Sequence, residues 1–146
     1  MSRLSWEQYA FELAKVAALR SEDEYVKVGS CALGWENQVL SLGYNGAPPG
    51  INIDFSDRDE RRKRVLHSEL NCLRYCKPGE VKLLAVTLCP CSDCMKQISA
   101  YKIKHVVFGG LYDKDDFGIQ LAYEFGIKLE QIELPKPPVT QPKCTH

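Results

Sequence analysis

Apolar positions recur at helical spacing near the start of the chain. Trp6, Tyr9, Leu13, Val16 and Ala17 fall on one stripe and Ser5-Trp6-Glu7-Gln8 fits a capping box, so residues 5–20 are expected to form a helix with that stripe on the core. Two short apolar runs, Val28 to Trp35 and Val39 to Leu42, flank Glu36-Asn37-Gln38 and read as a β-hairpin. The segment GYNGAPPG at 43–50 holds three glycines and two prolines and is expected to be an irregular loop with exposed backbone. From Asp54 to Arg64 almost every side chain is charged, which reads as a solvated helix face or loop. That reading includes the basic stretch 61–64.

His67 to Tyr75 returns to helical spacing, and Lys77-Pro78-Gly79 stops it. Val81 to Leu88 reads as a strand, Cys91 to Tyr101 as a helix and Val106 to Phe108 as a short buried strand. Asp115 to Phe125 then reads as a helix with Phe117, Leu121 and Phe125 on one side, and Ile127 to Ile132 as a last strand. The order α-β-β-α-β-α-β-α-β implies an α/β fold: a mixed five-stranded sheet with an N-terminal hairpin, a parallel second half and helices on its faces. Residues 1–134 are expected to form one domain and the proline-rich residues 135–146 an extended tail.

Composition narrows the classes of function. The chain has 146 residues, with nineteen Lys plus Arg against nineteen Asp plus Glu, so no global basic field holds a nucleic-acid backbone and no long nucleic-acid partner is expected. No stretch approaches the roughly 20 apolar residues that span a bilayer, and the N-terminus lacks the order of a secretion signal; a cytoplasmic protein without membrane contact is expected. Seven cysteines, two of them spaced Cys91-x-x-Cys94, point in a reducing compartment to metal or redox chemistry before disulfides.

His67-Ser68-Glu69 opens one helix and Pro90-Cys91-Ser92-Asp93-Cys94 opens the next, each beside a strand end. Together they make the H-x-E…P-C-x-x-C signature of zinc deaminases. Residues three apart on a helical turn lie about 60° apart, so both thiolates reach one ion. If the two helices are successive crossovers on one half-sheet, their N-termini share an edge and His67 becomes the third ligand. Three protein ligands leave one position for water, whose pKa zinc lowers to about 7, and Glu69 is placed to shuttle the proton rather than to bind the metal. Cys72 and Cys76 fall about 140° and 180° around the helix from His67 and read as core residues. Cys89 reads as a wall of the substrate pocket.

HSELN, TLCPCSDC and GYNGAPPG resemble the deoxycytidylate deaminases of the cytidine deaminase superfamily, from about Arg20 to about Phe125. The resemblance implies the superfamily's three-layer α/β/α fold and hydrolytic deamination of dCMP to dUMP, which feeds thymidylate synthesis. It implies one catalytic zinc per chain at His67, Cys91 and Cys94, and Glu69 as the catalytic proton carrier. Asn45 matches the residue that binds the sugar hydroxyl, with a turn residue as the plainer reading. Arg20 and Ser21 match a segment near the 5′-phosphate, although Arg20 also suits a helix C-terminus as a surface charge. Ser68, where the family usually has alanine, and Tyr112, otherwise a buried aromatic, complete the implied substrate contacts. Tyr44, Asn45, Gly46, Ala47 and Gly50 are implied to hold a regulatory triphosphate with Mg2+, dCTP activating and dTTP inhibiting, in a homo-oligomer that is a hexamer in this family. A deaminase of another small ring or of an RNA or single-stranded DNA base is the enzymatic alternative. A non-catalytic zinc or nucleotide-binding module is the other.

Overall fold

The computed structural model describes residues 3–111 and 116–132. Helix α1 (Trp6–Ala18) is capped by Ser5, whose side chain accepts from Gln8 N at 3.1 Å. The hairpin follows as β1 (Gly29–Gly34) and β2 (Val39–Tyr44), with Asn37 at φ 63° in its turn. Next come α2 (Arg58–Arg64), α3 (Ser68–Leu73), β3 (Val81–Leu88), α4 (Ser92–Ala100), β4 (His105–Gly110), α5 (Phe117–Glu124) and β5 (Lys128–Gln131). The sheet order is β2-β1-β3-β4-β5; β1 runs antiparallel to both neighbours, while β3, β4 and β5 are parallel. The mixed sheet with its hairpin and parallel half is the expected one. The charged run, expected as a solvated helix face or loop, is helical over Arg58–Arg64, one helix more than the expected element order.

Period-two alternation splits the core between the two faces of the sheet. Cys31, Leu33, Leu83, Ala85 and Val107 face α1, whereas Ala32, Leu84, Val86 and Val106 face the layer of α3, α4 and α5. β3 is buried or half-buried along its whole length, as a strand covered on both sides must be. Cys72 and Cys76 sit in this second core, where burial raises both thiol pKa values.

The buried face of α1 differs from the apolar stripe in the sequence. Ala10, Phe11, Ala14, Ala17 and Ala18 are buried, while Trp6 and Val16 are 51% and 60% exposed. Steric closeness decides this: a Cβ on Gly29 would lie 1.9 Å from the Ala14 carbonyl oxygen, so the helix rests on bare backbone that admits small side chains. The bulky residues are turned outward, where Trp6 and Tyr9 meet edge to face at 5.6 Å.

Candidate active site

β2 and β3 both run antiparallel to β1, so their carboxyl ends lie at one edge of the sheet, and α3 and α4 begin there. His67 and Cys91 occupy the N-cap positions of these helices in extended backbone, and neither side chain caps its own helix. They meet each other instead. His67 Nδ1 lies 3.3 Å from Cys94 Sγ and 3.6 Å from Cys91 Sγ, and the three donor atoms all lie within 4.8 Å of one another. Ordinary Zn–S and Zn–N bonds in a tetrahedron set S···N separations of about 3.5 Å, so this donor set fits zinc. Among the described residues no fourth His, Cys, Asp or Glu joins the group.

The electrostatics of the trio favour a soft cation. A hydrogen bond from Cys94, with a further one from His67, pulls Cys91 down to about 4 against the effect of burial. Cys94, which keeps the proton, is pushed up by that bond and by burial, and the hydrogen bond to Cys91 raises His67. The thiolate so favoured at Cys91 is the form in which cysteine can hold a metal. Glu69 is buried and its carboxyl is raised mainly by desolvation; the Ser68 hydroxyl donates to it at 3.1 Å and lies 2.6 Å from the hydroxyl of Ser30.

Two glycines fix how closely these pieces approach. A Cβ on Gly43 would meet Cys72 N at 2.5 Å and Ser68 O at 2.6 Å, so α3 lies directly on β2. A Cβ on Gly118 would meet Pro90 O at 2.5 Å and Cys91 C at 3.0 Å, so α5 braces the loop that carries Cys91. A glycine inside a helical pattern is a recognisable sign of such packing, and the sequence reading passed over it.

His67, Ser68, Glu69 and Cys91 line a cavity of about 470 Å³ together with Asn45 and Cys89. Asn45 is buried: its Oδ1 accepts from Val28 N at 2.9 Å, and its Nδ2 donates to Val26 O and Asp23 Oδ2. The Oδ1 retains one acceptor position for a ligand. Arg20 is exposed and Ser21 donates its hydroxyl to Asn45 O at 2.8 Å, and neither lines this cavity. Tyr112 and the tail at 135–146 lie outside the described residues. Tyr44, Gly46, Ala47 and Gly50 line a second cavity of about 460 Å³, whereas Asn45 faces the first.

The solvated reading of the charged run holds along most of α2 and fails at one position. Arg61 is 8% exposed, and its Nη1 donates to the buried Asp23 Oδ2 at 2.6 Å; Asp23 also accepts from Tyr25 N and Val26 N. Far from being solvated, this arginine clamps α2 to the chain before β1. Arg58, Arg61 and Arg62 all line the first cavity.

Residues 4–110 match the family model described as the cytidine and deoxycytidylate deaminase zinc-binding region. The chain belongs to this family. Among relatives, the deoxycytidylate deaminase of Mus musculus is 34% identical over 115 residues, covering 72% of this chain and 65% of the mouse protein. ComE operon protein 2 of Bacillus subtilis is 29% identical over 143 residues, covering 92% of this chain and 75% of that one. The chain therefore spans about 65% of the length of its mammalian relatives. The crystal structure of dCMP deaminase from the cyanophage S-TIM5, in complex with dCMP and dUMP, superposes with a TM-score of 0.78 at 24% identity, covering 90% of this chain and all of that one. This likeness confirms the deaminase fold, including the expected three layers.

Proposed function

We propose that the chain hydrolyses dCMP to dUMP and ammonia. The observation that carries this reading is a three-donor cluster, His67, Cys91 and Cys94, whose first two members line one nucleotide-sized cavity together with the buried carboxyl of Glu69. His67, Cys91 and Cys94 would hold zinc, which would supply acidification of a water molecule so that it can act as the nucleophile at neutral pH. Glu69 moves the protons: it takes one from the attacking water, delivers it to the ring nitrogen of cytosine, and passes one to the departing amine. A C–O bond forms at the amino-bearing carbon as the C–N bond breaks. Ser68 and Ser30 hold the carboxyl in place, and Asn45 offers its Oδ1 to the sugar.

The finer parts of this reading are residues 1–134 as one catalytic domain in the cytoplasm, a homohexamer, and control by dCTP and dTTP with Mg2+. The second cavity, lined by the GYNGAPPG loop, supports regulation. Asn45 binds to the backbone on the first cavity's side of that loop and follows Tyr44 of the second, so it would couple the two, with reciprocal effects on binding. The test is ammonia release over a panel of pyrimidine nucleotides and nucleosides, with and without the two triphosphates. Preferred turnover of dCMP is expected; preference for another ring, or no ammonia from a zinc-loaded protein, would overturn the assignment.

A further inference from the structure

The chain carries no net charge, yet three arginines gather on the cavity that holds Glu69. Arg58 and Arg62 are four apart on α2 and so share a face of that helix. Both are exposed, and among the described residues neither is paired with a carboxylate. Their neighbours are committed elsewhere: Arg64 Nη1 donates to Glu60 O at 3.2 Å, and Lys63 does not line the cavity.

Arg61 fixes the helix in place. Its guanidinium is bonded to Asp23 and stacks over the Tyr25 ring at 5.0 Å, and Arg58 stacks on the same ring at 5.5 Å. Tyr25 is itself tied by its hydroxyl to Ser56 O at 3.1 Å. The Nε of Arg61 is buried and has no hydrogen-bond partner among the described residues, a donor that a ligand oxygen would satisfy. Preorganised guanidinium groups with open donors are the chemistry that recognises phosphate.

We propose that Arg58 and Arg62, held on α2 by the Arg61–Asp23 pair, bind the 5′-phosphate of the nucleotide whose base lies at His67 and Glu69, and so make the site select nucleotides over nucleosides. This rests on the nucleotide reading above and assigns the phosphate to different side chains from Arg20 and Ser21. Arg61 holds the helix in place, and its unpartnered Nε–H is one further donor for the phosphate.

The experiment uses the full zinc-loaded chain and the ratio of affinities for dUMP and deoxyuridine, measured by calorimetry, with ammonia release from dCMP assayed in parallel. In R58A/R62A, whose substitutions are at exposed positions, the dUMP-to-deoxyuridine ratio is expected to fall about 10- to 100-fold. Lys63→Ala, which removes the same charge from the same helix outside the cavity, keeps the ratio. An unchanged ratio in the double variant, or an equal fall in Lys63→Ala, would overturn the assignment. If the native chain binds dUMP more tightly than deoxyuridine and R58A/R62A loses that preference, but no ammonia is released from dCMP, the deaminase reading fails while the phosphate grip stands.

Discussion

Asp23 shows how a single side chain can organise a site it does not enter. Its carboxylate accepts from Arg61, Asn45, Tyr25 N and Val26 N, and it is completely buried. Truncation leaves Arg61 as a buried charge without its partner, so Asp23→Ala is expected to cost about 3–5 kcal/mol, read as a shift in urea midpoint. The double variant Asp23→Ala with Arg61→Met removes both charges and is expected to recover a large part of that loss. No recovery would mean that the pair does not carry the stability. Nothing in the sequence marks this partnership, because residues 38 positions apart, one in the irregular chain before β1 and one on α2, share no periodicity. His67, Glu69, Cys91 and Cys94 were legible for the opposite reason: each pair sits within one turn of a helix start, where local spacing fixes geometry.

At the scale of elements, close approach matters as much as hydrophobicity. Gly118 lets α5 press on the Pro90–Cys91 backbone, which cannot give way as a side-chain tip would. Gly118→Ala is therefore expected to displace Cys91 and weaken zinc affinity about 10- to 100-fold, measured by chelator competition; unchanged affinity would remove α5 from the support of the site. The edge strand β5 supplies a gentler test. A hydrogen bond from His105 holds the Glu130 carboxyl below its usual range, so that pair contributes stability above the unfolded value of about 4.3 and loses it as pH falls through the lowered pKa. Glu130 is 43% exposed, so Glu130→Gln is expected to cost less than about 1 kcal/mol at pH 7 and nothing in acid below that lowered pKa. A thermal scan at both pH values checks the sign. β3 and α4 are legible because an aliphatic run matches a strand buried or half-buried throughout, and the helical recurrence through Met95 and Ile98 matches the buried face of α4. The orientation of α1 was misread because the stripe of large apolar residues outweighed, on paper, the alanines that contact with Gly29 requires.

For the whole molecule, the antiparallel placement of β1 between β2 and β3 is the decisive feature. It turns two crossover helices so that both start at one sheet edge, and it is there that His67, Cys91, Glu69 and the arginines of α2 share a cavity. No helix among the described residues is long and apolar enough to cross a membrane. The chain's zero net charge leaves recognition to the local arrangement of charged groups. The most direct test of the account is Glu69→Gln measured for zinc content and for dUMP formation in the same preparation. One zinc per chain with turnover reduced at least about a thousandfold is the expected result; near-native turnover with that zinc in place would contradict the assignment of Glu69 as the proton carrier.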